Sequence, residues 1–288
     1  MSRNSNRMAR KAPPAKKQTA PEELQSPQPP VQAVRRTANT EFVELPSRGL
    51  FYPQNHPLHG QETVEIRFMT ARDEDILTSP ALLRKGVAID KFIQNIMVDQ
   101  SIQVADLLIG DKSAIMVAAR VTGYGPDYEV KITCPECNTD CDITVDLSEY
   151  HKYFEKFEQS ENFKTNQQGH FETTLPMSGQ NVVVRLLTSR DESRMASRMS
   201  SKKKNKLAET NTTDFLKMII VSIDEIANPA DLNEMIGEMP ARDSRFLRKN
   251  YASLVPTVRL KEDFECMYCG AEAETEVPLE ATFFWPDL

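Results

Sequence analysis

The sequence predicts an α+β fold in which two copies of one unit follow a disordered N-terminal tail. Three observations support this prediction: the segment at residues 64–74 recurs at 182–192, a Cys-x-x-Cys pair occurs in each half, and residues 1–40 have the composition of an unfolded chain. Self-similarity of this kind indicates an internal duplication. Each copy is expected to contain a strand, three helices and a hairpin that carries its cysteine pair.

The N-terminal segment differs from the rest of the chain in charge. Residues 1–40 carry eight basic and two acidic residues, whereas the whole chain has a net charge of −7. The segment is rich in proline, glutamine and alanine, so it cannot bury enough apolar surface to offset its ordering entropy. We interpret it as a disordered, solubilising tail, with contact to nucleic acid or to the acidic body of the chain as the alternative.

The composition also limits the location of the protein. A chain of 288 residues with 40% hydrophobic residues can form one large or two small domains with real cores. It has no long apolar run and no apolar stretch of the signal-peptide type, so we expect a cytoplasmic protein that does not insert into membranes. Five cysteines, four of them in Cys-x-x-Cys pairs, favour metal binding in a reducing compartment over disulfides.

The recurring segment predicts a strand that runs into a helix. In both copies a Thr-x-x-Asp sequence follows the strand, beginning at Thr70 and at Thr188. The threonine and the aspartate of this pattern cap a helix N-terminus, and acidic side chains there complement the helix dipole. We therefore interpret four acidic side chains as capping residues and not as catalytic groups. They are Asp73, Glu74, Asp191 and Glu192.

The correspondence between the copies sets the predicted domain boundaries. The apolar stretch 92–98 matches 215–221 as a buried helix face, and residues 111–147 align with 243–279 at a constant offset of 132. A gap-free register of this length is not expected by chance. The predicted domains are a tail at 1–40, a first copy at 41–150, a linker at 151–170 and a second copy at 171–288.

The copies differ most at residues 194–206, where the second copy has a basic, serine-rich run. The first copy has the short segment 76–80 at the same place. We interpret the run as a solvated loop, with a contact to a partner as the alternative.

A second segment with two interpretations follows the first predicted strand. Leu50, Phe51 and Tyr52 lie between a glycine and a proline, in a loop-like stretch. Aromatic side chains in such a loop either anchor a partner or pack into their own core, and we favour the core.

The cysteines give the strongest chemical signal in the chain. Two residues between cysteines form a tight turn that points both thiolates at one ion, and two such turns supply the tetrahedral ligands of structural zinc at about 2.3 Å. We predict that the hairpins pair as a zinc ribbon with approximate two-fold symmetry. The ligands of this Zn²⁺ are Cys134, Cys137, Cys266 and Cys269. Cys141 aligns with Ala273, so the symmetry assigns it no ligand role.

Two alternatives to zinc are a redox-active Cys-x-x-Cys and a set of inert buried thiols. Redox activity needs a thioredoxin-like setting that two matched pairs do not provide. Four sulfur ligands leave no open position for water or substrate, which favours structural zinc over a hydrolase. The spacing of the histidines does not indicate a catalytic group with carboxylates. We expect all four to lie in loops or in the linker, namely His56, His59, His151 and His170.

Four stretches of the first copy resemble one protein family. They are residues 45–53, with the sequence Leu-Pro-Ser-Arg-Gly-Leu-Phe-Tyr-Pro, residues 69–77, residues 106–111 and the Cys-Pro-Glu-Cys pair at 134–137. Together they resemble the baseplate hub proteins of T4-like bacteriophages, specifically the hub subunit or hub-assembly product of gene twenty-six. The resemblance covers residues 40–150 well and reaches the second half mainly through the repeat.

This resemblance implies a non-enzymatic protein of a contractile phage tail. It implies other baseplate hub and tail proteins as partners, assembly in the host cytoplasm, a place in the tail baseplate of the virion, and association of copies within the hub. A tail-assembly chaperone that is absent from the mature particle is the alternative. The zinc site is predicted from the cysteine spacing and does not depend on the resemblance.

Two other classes of function compete with a structural protein. A nucleic-acid-binding zinc ribbon needs basic and aromatic side chains around its cysteines. This sequence has acidic residues there, namely Glu136, Asp140, Asp142, Glu265, Glu272, Glu274 and Glu276. A metal-dependent or thiol enzyme needs an open ligand position or a poised base, and the sequence indicates neither.

Overall fold

The structure is a computed structural model that describes residues 39–204, 211–277 and 281–284. The predicted disordered tail lies outside the described residues except for residues 39 and 40. Among the described residues the fold is mixed α/β, as predicted, with eight α-helices and small antiparallel sheets. These residues belong to one compact unit, Ala38–Leu288.

The first half begins with a two-stranded antiparallel sheet and ends with a hairpin. In the sheet, β1 (Thr40–Glu44) pairs with β2 (Thr63–Arg67) so that Val43 lies opposite Val64. Four helices follow, which are α1 (Ala71–Thr78), α2 (Pro80–Lys85), α3 (Ala88–Ile96) and α4 (Ile109–Tyr124). The hairpin consists of β3 (Asp127–Thr133) and β4 (Asp140–Asp146).

The second half repeats this order with additional short strands. The short strands before it are β5 (Phe154–Glu155) and β6 (Lys164–Thr165). The sheet β6-β7-β8-β9 contains β7 (Phe171–Thr174), β8 (Asn181–Val184) and β9 (Ile220–Ile223). The helices are α5 (Ser189–Lys204), α6 (Asn211–Ile219), α7 (Pro229–Glu238) and α8 (Ala241–Tyr251). The last strands are β10 (Thr257–Val258), β11 (Leu260–Glu265) and β12 (Glu272–Val277).

Each half contains four helices where the sequence predicted three. The additional helix starts at a proline in each half, Pro80 in α2 and Pro229 in α7, but α2 precedes α3 whereas α7 follows α6. Proline suits the first helical position because its missing N–H group has no partner there in any helix. Helices of six and ten residues span few turns, so hydrophobic periodicity does not separate them from their neighbours.

The interpretation of residues 194–206 as a loop is wrong for the part that the structure describes. Helix α5 runs through this segment to Lys204, and residues 205–206 lie outside the described residues. No glycine or proline interrupts Ser189–Lys204, and arginine, lysine, methionine and alanine favour helix. A basic composition was therefore a poor guide to backbone conformation in this segment.

Residues 151–170, predicted as a linker, pack into the body of the protein. β5 pairs with β10 of the second half, with Val258 opposite Phe154. Phe154 and Phe163 are both buried. The predicted domain boundaries stay predictions, and the structure adds that this segment contributes strands and core residues.

The predicted helix caps are confirmed in both halves. The Asp73 carboxylate accepts hydrogen bonds from the Thr70 backbone N–H at 2.9 Å and from Thr70 Oγ1 at 2.7 Å. Arg67 at the end of β2 donates to both oxygens of the same carboxylate at 2.7 Å. Burial raises the pKa of Asp73, but the hydrogen bonds from Arg67 and Thr70 outweigh it and hold the pKa well below its ordinary value.

The second cap has the same arrangement. The Asp191 carboxylate accepts from the Thr188 N–H and Oγ1, each at 3.0 Å, and from Arg185 at 2.7 and 3.0 Å. Here too burial raises the pKa of Asp191. The hydrogen bonds from Arg185 and Thr188 outweigh this effect, so the pKa lies below its ordinary value. Strand, arginine and capped helix are thus held together as one unit in each half.

A lysine on α4 connects the two halves through an ion pair and a hydrogen bond. Lys112 on α4 is largely buried, and its Nζ lies 2.7 Å from the Asp90 carboxylate and 3.0 Å from both Ser189 Oγ and the Glu192 carboxylate. Glu192 therefore pairs with a cation of the first half. Because α4 leads directly into the hairpin β3–β4, this ion pair positions that hairpin relative to the second half.

A buried aspartate fixes the start of the helix before each hairpin. Asp111 in the first turn of α4 accepts from the Ser47 N–H at 3.0 Å, from Ser47 Oγ at 2.6 Å and from the Tyr52 hydroxyl at 2.8 Å. Phe51 and Tyr52 are buried, which confirms the core interpretation for these two, whereas Leu50 is exposed. The loop after β1 is thereby tied to the helix that carries the first hairpin.

Asp243 in the first turn of α8 has the corresponding role. It is fully buried and accepts from the backbone N–H groups of Met177 at 2.8 Å and Ser178 at 3.0 Å. Both residues lie in the short loop between β7 and β8. The carboxylate again ties the loop after the first strand of the half to the helix that precedes the cysteine hairpin.

Candidate metal centre

The two cysteine hairpins have the same strand register. Tyr128 lies opposite Val145 in β3–β4, and Leu260 lies opposite Val277 in β11–β12. Each of these pairs is related to the other by the sequence offset of 132 that aligns the two halves. The hairpins form separate two-stranded sheets, so neither extends the other by strand pairing.

The turn of each hairpin is closed by the same two backbone hydrogen bonds. The Cys134 N–H donates to Thr139 O at 2.9 Å, and the Asn138 N–H donates back to Cys134 O at 2.9 Å. At the second turn, the Cys266 N–H donates to Ala271 O at 2.9 Å, and the Gly270 N–H donates to Cys266 O at 2.8 Å.

A left-handed residue completes each turn. It is Asn138 with φ 56° in the first and Gly270 with φ 70° in the second, the two residue types that tolerate this region best. In both turns this residue directly follows the second cysteine. The two turns thus share both their hydrogen bonds and the position of their left-handed residue.

The structure brings together all four sulfur atoms that the spacing predicted as ligands. The Sγ atoms of Cys134, Cys137, Cys266 and Cys269 lie within 4.8 Å of one another. Across the hairpins, Cys134 Sγ lies 3.8 Å from Cys269 Sγ, and Cys137 Sγ lies 3.6 Å from Cys266 Sγ. Among the described residues, these four cysteines form the only group that offers three or more potential metal ligands at such distances.

The two cross-hairpin distances match a tetrahedral thiolate site, and all the sulfur–sulfur distances of the cluster are at most 4.8 Å. With Zn–S bonds of about 2.3 Å, the sulfur atoms of a regular tetrahedron are about 3.8 Å apart. The two cross-hairpin distances lie within roughly 0.2 Å of this value. The donor set and its spacing therefore fit one zinc ion, and each hairpin supplies half of the ligands. The identity of the ion is a separate question from this fit.

The local backbone favours a thiolate at Cys266. Burial raises the pKa of this thiol, but the backbone N–H groups of Cys269 and Tyr268 point at the sulfur and lower its pKa to about 6. The Ala271 N–H lowers the pKa of Cys269, whereas the nearby Cys266 sulfur raises it and the net value is about 12. The Cys266 and Cys269 sulfur atoms therefore affect each other's pKa in opposite directions. A divalent cation removes this conflict because it stabilises all four thiolates together.

Cys141 lies closer to the cluster than the sequence predicted. It is buried in β4, and its Sγ lies 3.8 Å from Cys266 Sγ. With Cys134, Phe264 and Cys266 it forms a small apolar cluster that is separate from the main core. The alignment with Ala273 hid this proximity because sequence offset carries no information on contacts between hairpins. Its exclusion from the ligand set stays a prediction.

His56, His59 and His170 occupy loop or turn positions, as the sequence predicted, whereas His151 lies in a 3-10 helix at Tyr150–Tyr153. His56 stacks on the ring of Tyr52 at 4.4 Å, and His59 Nδ1 lies 2.7 Å from Tyr52 O. His151 stacks on Tyr150 at 4.1 Å. These contacts account for the rings as packing elements of loops, and none of them is shared with the cysteine cluster.

The protein thus has a mixed α/β fold, a similar helix cap in each half and a four-sulfur cluster that is a candidate metal centre. The family model described as T4 bacteriophage base plate protein matches residues 37–285, and the chain belongs to this family. Membership supports a structural role in a phage baseplate and hence a place in the virion tail. No curated protein and no solved structure matches the chain. Within the described residues, no helix is both long and apolar enough to span a membrane.

Proposed function

We propose that the protein is a non-enzymatic structural subunit of the baseplate hub of a contractile-tail phage, in which one zinc ion joins two copies of a duplicated unit. The observation that carries the proposal is the convergence of two Cys-x-x-Cys pairs, since Cys134 and Cys269 are 135 residues apart in sequence and 3.8 Å apart at their sulfur atoms. Four sulfur ligands fill the coordination shell of zinc, so the ion has a structural role and no substrate position.

The duplication is supported by contacts that recur in both halves. Each half has an Arg–Asp–Thr cap, a buried aspartate that binds the preceding loop, and a cysteine hairpin of identical register. Contacts of this kind depend on backbone position as well as residue type. Their recurrence in the same order favours a common origin of the halves.

The energetic argument for zinc starts from the size of the hairpins. An isolated two-stranded hairpin is at best marginally stable in water, and β3–β4 and β11–β12 are each two-stranded. The apolar cluster between them contains few residues. Structural zinc contributes about 10–16 kcal/mol in small peptides, so one ion supplies the stability that the small cluster lacks.

The zinc proposal is tested by elemental mass spectrometry of freshly purified protein. We expect one zinc per chain in the wild type and its loss in the Cys137→Ser, Cys269→Ser double variant. The matched control is Cys141→Ser, which removes a neighbouring sulfur and is expected to keep its zinc. Absence of zinc from unchelated wild-type protein, or loss of zinc in the control alone, contradicts the proposed ligand set.

The assignment to the hub rests on the resemblance of residues 45–53, 69–77, 106–111 and 134–137 to hub proteins, within the wider baseplate family. It is tested by mass spectrometry of separated hub and wedge subassemblies and of mature virions. We expect the chain in hubs and in virions. Its presence in wedges contradicts the hub assignment, and its presence in hub precursors but not in virions identifies it as a chaperone.

A further inference from the structure

A groove with a basic rim lies in the second half, away from the metal centre. Helices α5, α6 and α7 and strand β9 enclose a cavity of about 380 Å³, a volume typical of binding pockets. Its apolar lining includes Ile220, Leu232 and Ile236, and its rim carries Arg194 and Arg198 from α5 together with Lys217 from α6.

The rim cations differ from their neighbours because they are unpaired. Arg185 in the same groove is neutralised by Asp191 at 2.7 Å, and Arg190 on α5 pairs with Asp106 at 2.6 Å. The three rim residues Arg194, Arg198 and Lys217 are exposed. In the part of the chain that the structure describes, no carboxylate forms an ion pair with them. Three unpaired cations around an apolar floor fit a ligand that is acidic and carries apolar side chains.

The two rim arginines have no basic counterparts in the first half. The positions that align with Arg194 and Arg198 are Ile76 and Pro80, and Pro80 starts a new helix there. The basic rim is therefore an addition to the second half and is not needed for the arrangement that both halves share.

The same chain carries a surface that complements the groove. At the tip of hairpin β11–β12, the adjacent side chains Met267 and Tyr268 are 74% and 65% exposed, so both are accessible to a partner. Behind the tip, alternate residues of β12 form an exposed acidic row, namely Glu272, Glu274 and Glu276. Residues 260–277 contain six acidic residues and one basic residue. The hairpin thus combines apolar anchors with strong negative charge.

The spacing of the opposite charges is also complementary. Residues two apart on one face of a strand are about 6.7 Å apart along its axis. Residues four apart on a helix are separated by about 6 Å of rise and lie on one face. Two glutamates of β12 therefore match Arg194 and Arg198 of α5 in distance. In the described part of the chain these glutamates form no ion pair with the groove, so they are available to a second copy.

We propose that the groove of one protomer receives the β11–β12 hairpin of a second copy, with Met267 and Tyr268 against the apolar floor and the glutamate row against Arg194 and Arg198. The groove and the hairpin are different surfaces, so the contact is head-to-tail, and repetition of it generates a ring or an open chain of copies. The contact requires an ordered hairpin but not the assignment of the protein to the hub.

The proposal is tested by sedimentation velocity of full-length protein in a concentration series. We expect wild-type protein to self-associate, and more weakly at high salt because screening weakens exposed charge pairs. Arg194→Glu with Arg198→Glu, and separately Glu272→Lys with Glu274→Lys, are each expected to raise the dissociation constant by about tenfold or more. An equimolar mixture of the two variants is expected to associate again, because every groove then meets a hairpin of opposite charge.

The matched control reverses two exposed charges outside the groove, Arg84→Glu and Lys85→Glu on α2, and is expected to associate like the wild type. All variants must keep the wild-type circular dichroism spectrum and zinc content, which separates failure of this contact from failure of the metal centre. Wild-type protein that stays monomeric, or a mixture that associates no better than its components, overturns the proposal. A wild-type monomer whose groove arginines instead bind a short single-stranded oligonucleotide assigns the groove to nucleic acid and also overturns it.

Discussion

The loop after β1 and the loop after β7 perform the same task by different means. Asp111 holds the first loop through one backbone N–H and the hydroxyls of Ser47 and Tyr52, whereas Asp243 holds the second through the backbone N–H groups of Met177 and Ser178 alone. The shared element is a buried carboxylate at the start of the helix before each cysteine hairpin. The first loop adds side-chain donors and aromatic packing to it.

Some features are common to the two halves, and others occur in only one of them. The caps, the buried aspartates and the hairpin register are common to both halves, and the buried aspartates lie at the starts of the helices that lead into the cysteine hairpins. The differences lie in the long loop 45–62, which packs into the core, in the four-stranded sheet of the second half and in the basic helix α5. This pattern separates the contacts that build the metal centre from the surfaces that are free to acquire partners.

The largest expected difference between the halves follows from the two buried aspartates. Asp111→Ala leaves three buried donors without an acceptor and is expected to lower the free energy of unfolding by about 3–5 kcal/mol. Asp243→Ala leaves two backbone donors beside the exposed Met177, which water can reach, and is expected to cost about 1–3 kcal/mol. Urea unfolding of both variants measures the difference, and equal or reversed costs contradict the assignment of extra anchoring to the first loop.

A smaller difference is expected between the helix caps. Asp73 accepts an additional hydrogen bond from Asn95 at 2.6 Å, which Asp191 lacks among the described residues. Asp73→Ala should therefore destabilise the protein by about 1 kcal/mol more than Asp191→Ala. In an Asn95→Ala background the two substitutions should cost the same, and a difference that persists there has another origin.

Both caps predict a loss of stability in acid. The folded-state pKa values of Asp73 and Asp191 are lowered, so these groups stabilise the fold above the ordinary pKa of about 3.9 and lose this contribution as the pH falls below it. A variant with Asp73→Asn and Asp191→Asn should be less stable at pH 7 and lose less stability than the wild type between about pH 5 and pH 2. Parallel pH profiles of the two proteins argue against this linkage.

The smallest effect is expected at Cys141. Replacing it with alanine gives the first hairpin the residue that the second has at Ala273, so the hairpins become more alike. The change removes one buried sulfur and should cost about 1 kcal/mol with zinc retained. Thermal unfolding together with elemental analysis tests this, and loss of zinc would show that Cys141 acts in metal binding.

The two cysteine pairs and the caps were recognisable in the sequence because each pair and each cap depends on a short spacing, and the structure confirms the caps and brings the four cysteines together. Cys-x-x-Cys and Thr-x-x-Asp fix a local geometry in a few residues, whatever the rest of the chain does. The contact of Cys141 with Cys266, the ion pair of Lys112 with Glu192 and the packing of residues 151–170 depend on distant segments meeting in space. A single sequence does not show which distant residues come into contact when the chain folds.

The prediction of a loop at 194–206 failed for a different reason. Charge and serine content indicate exposure, and exposure is compatible with the outer face of a helix as well as with a loop. Helix propensity of the same residues was the better indicator, since Ser189–Lys204 has no helix-breaking residue. The basic rim of the groove could not be predicted from the sequence because it depends on the helix, which places Arg194 and Arg198 on one face.

The most direct test of the shared metal centre is X-ray absorption at the zinc edge of purified, unchelated protein. A site built by both hairpins predicts one zinc with four sulfur neighbours at about 2.3 Å. A wild-type spectrum with nitrogen or oxygen ligands, or with only two sulfur neighbours, would contradict a single ion shared between the two halves.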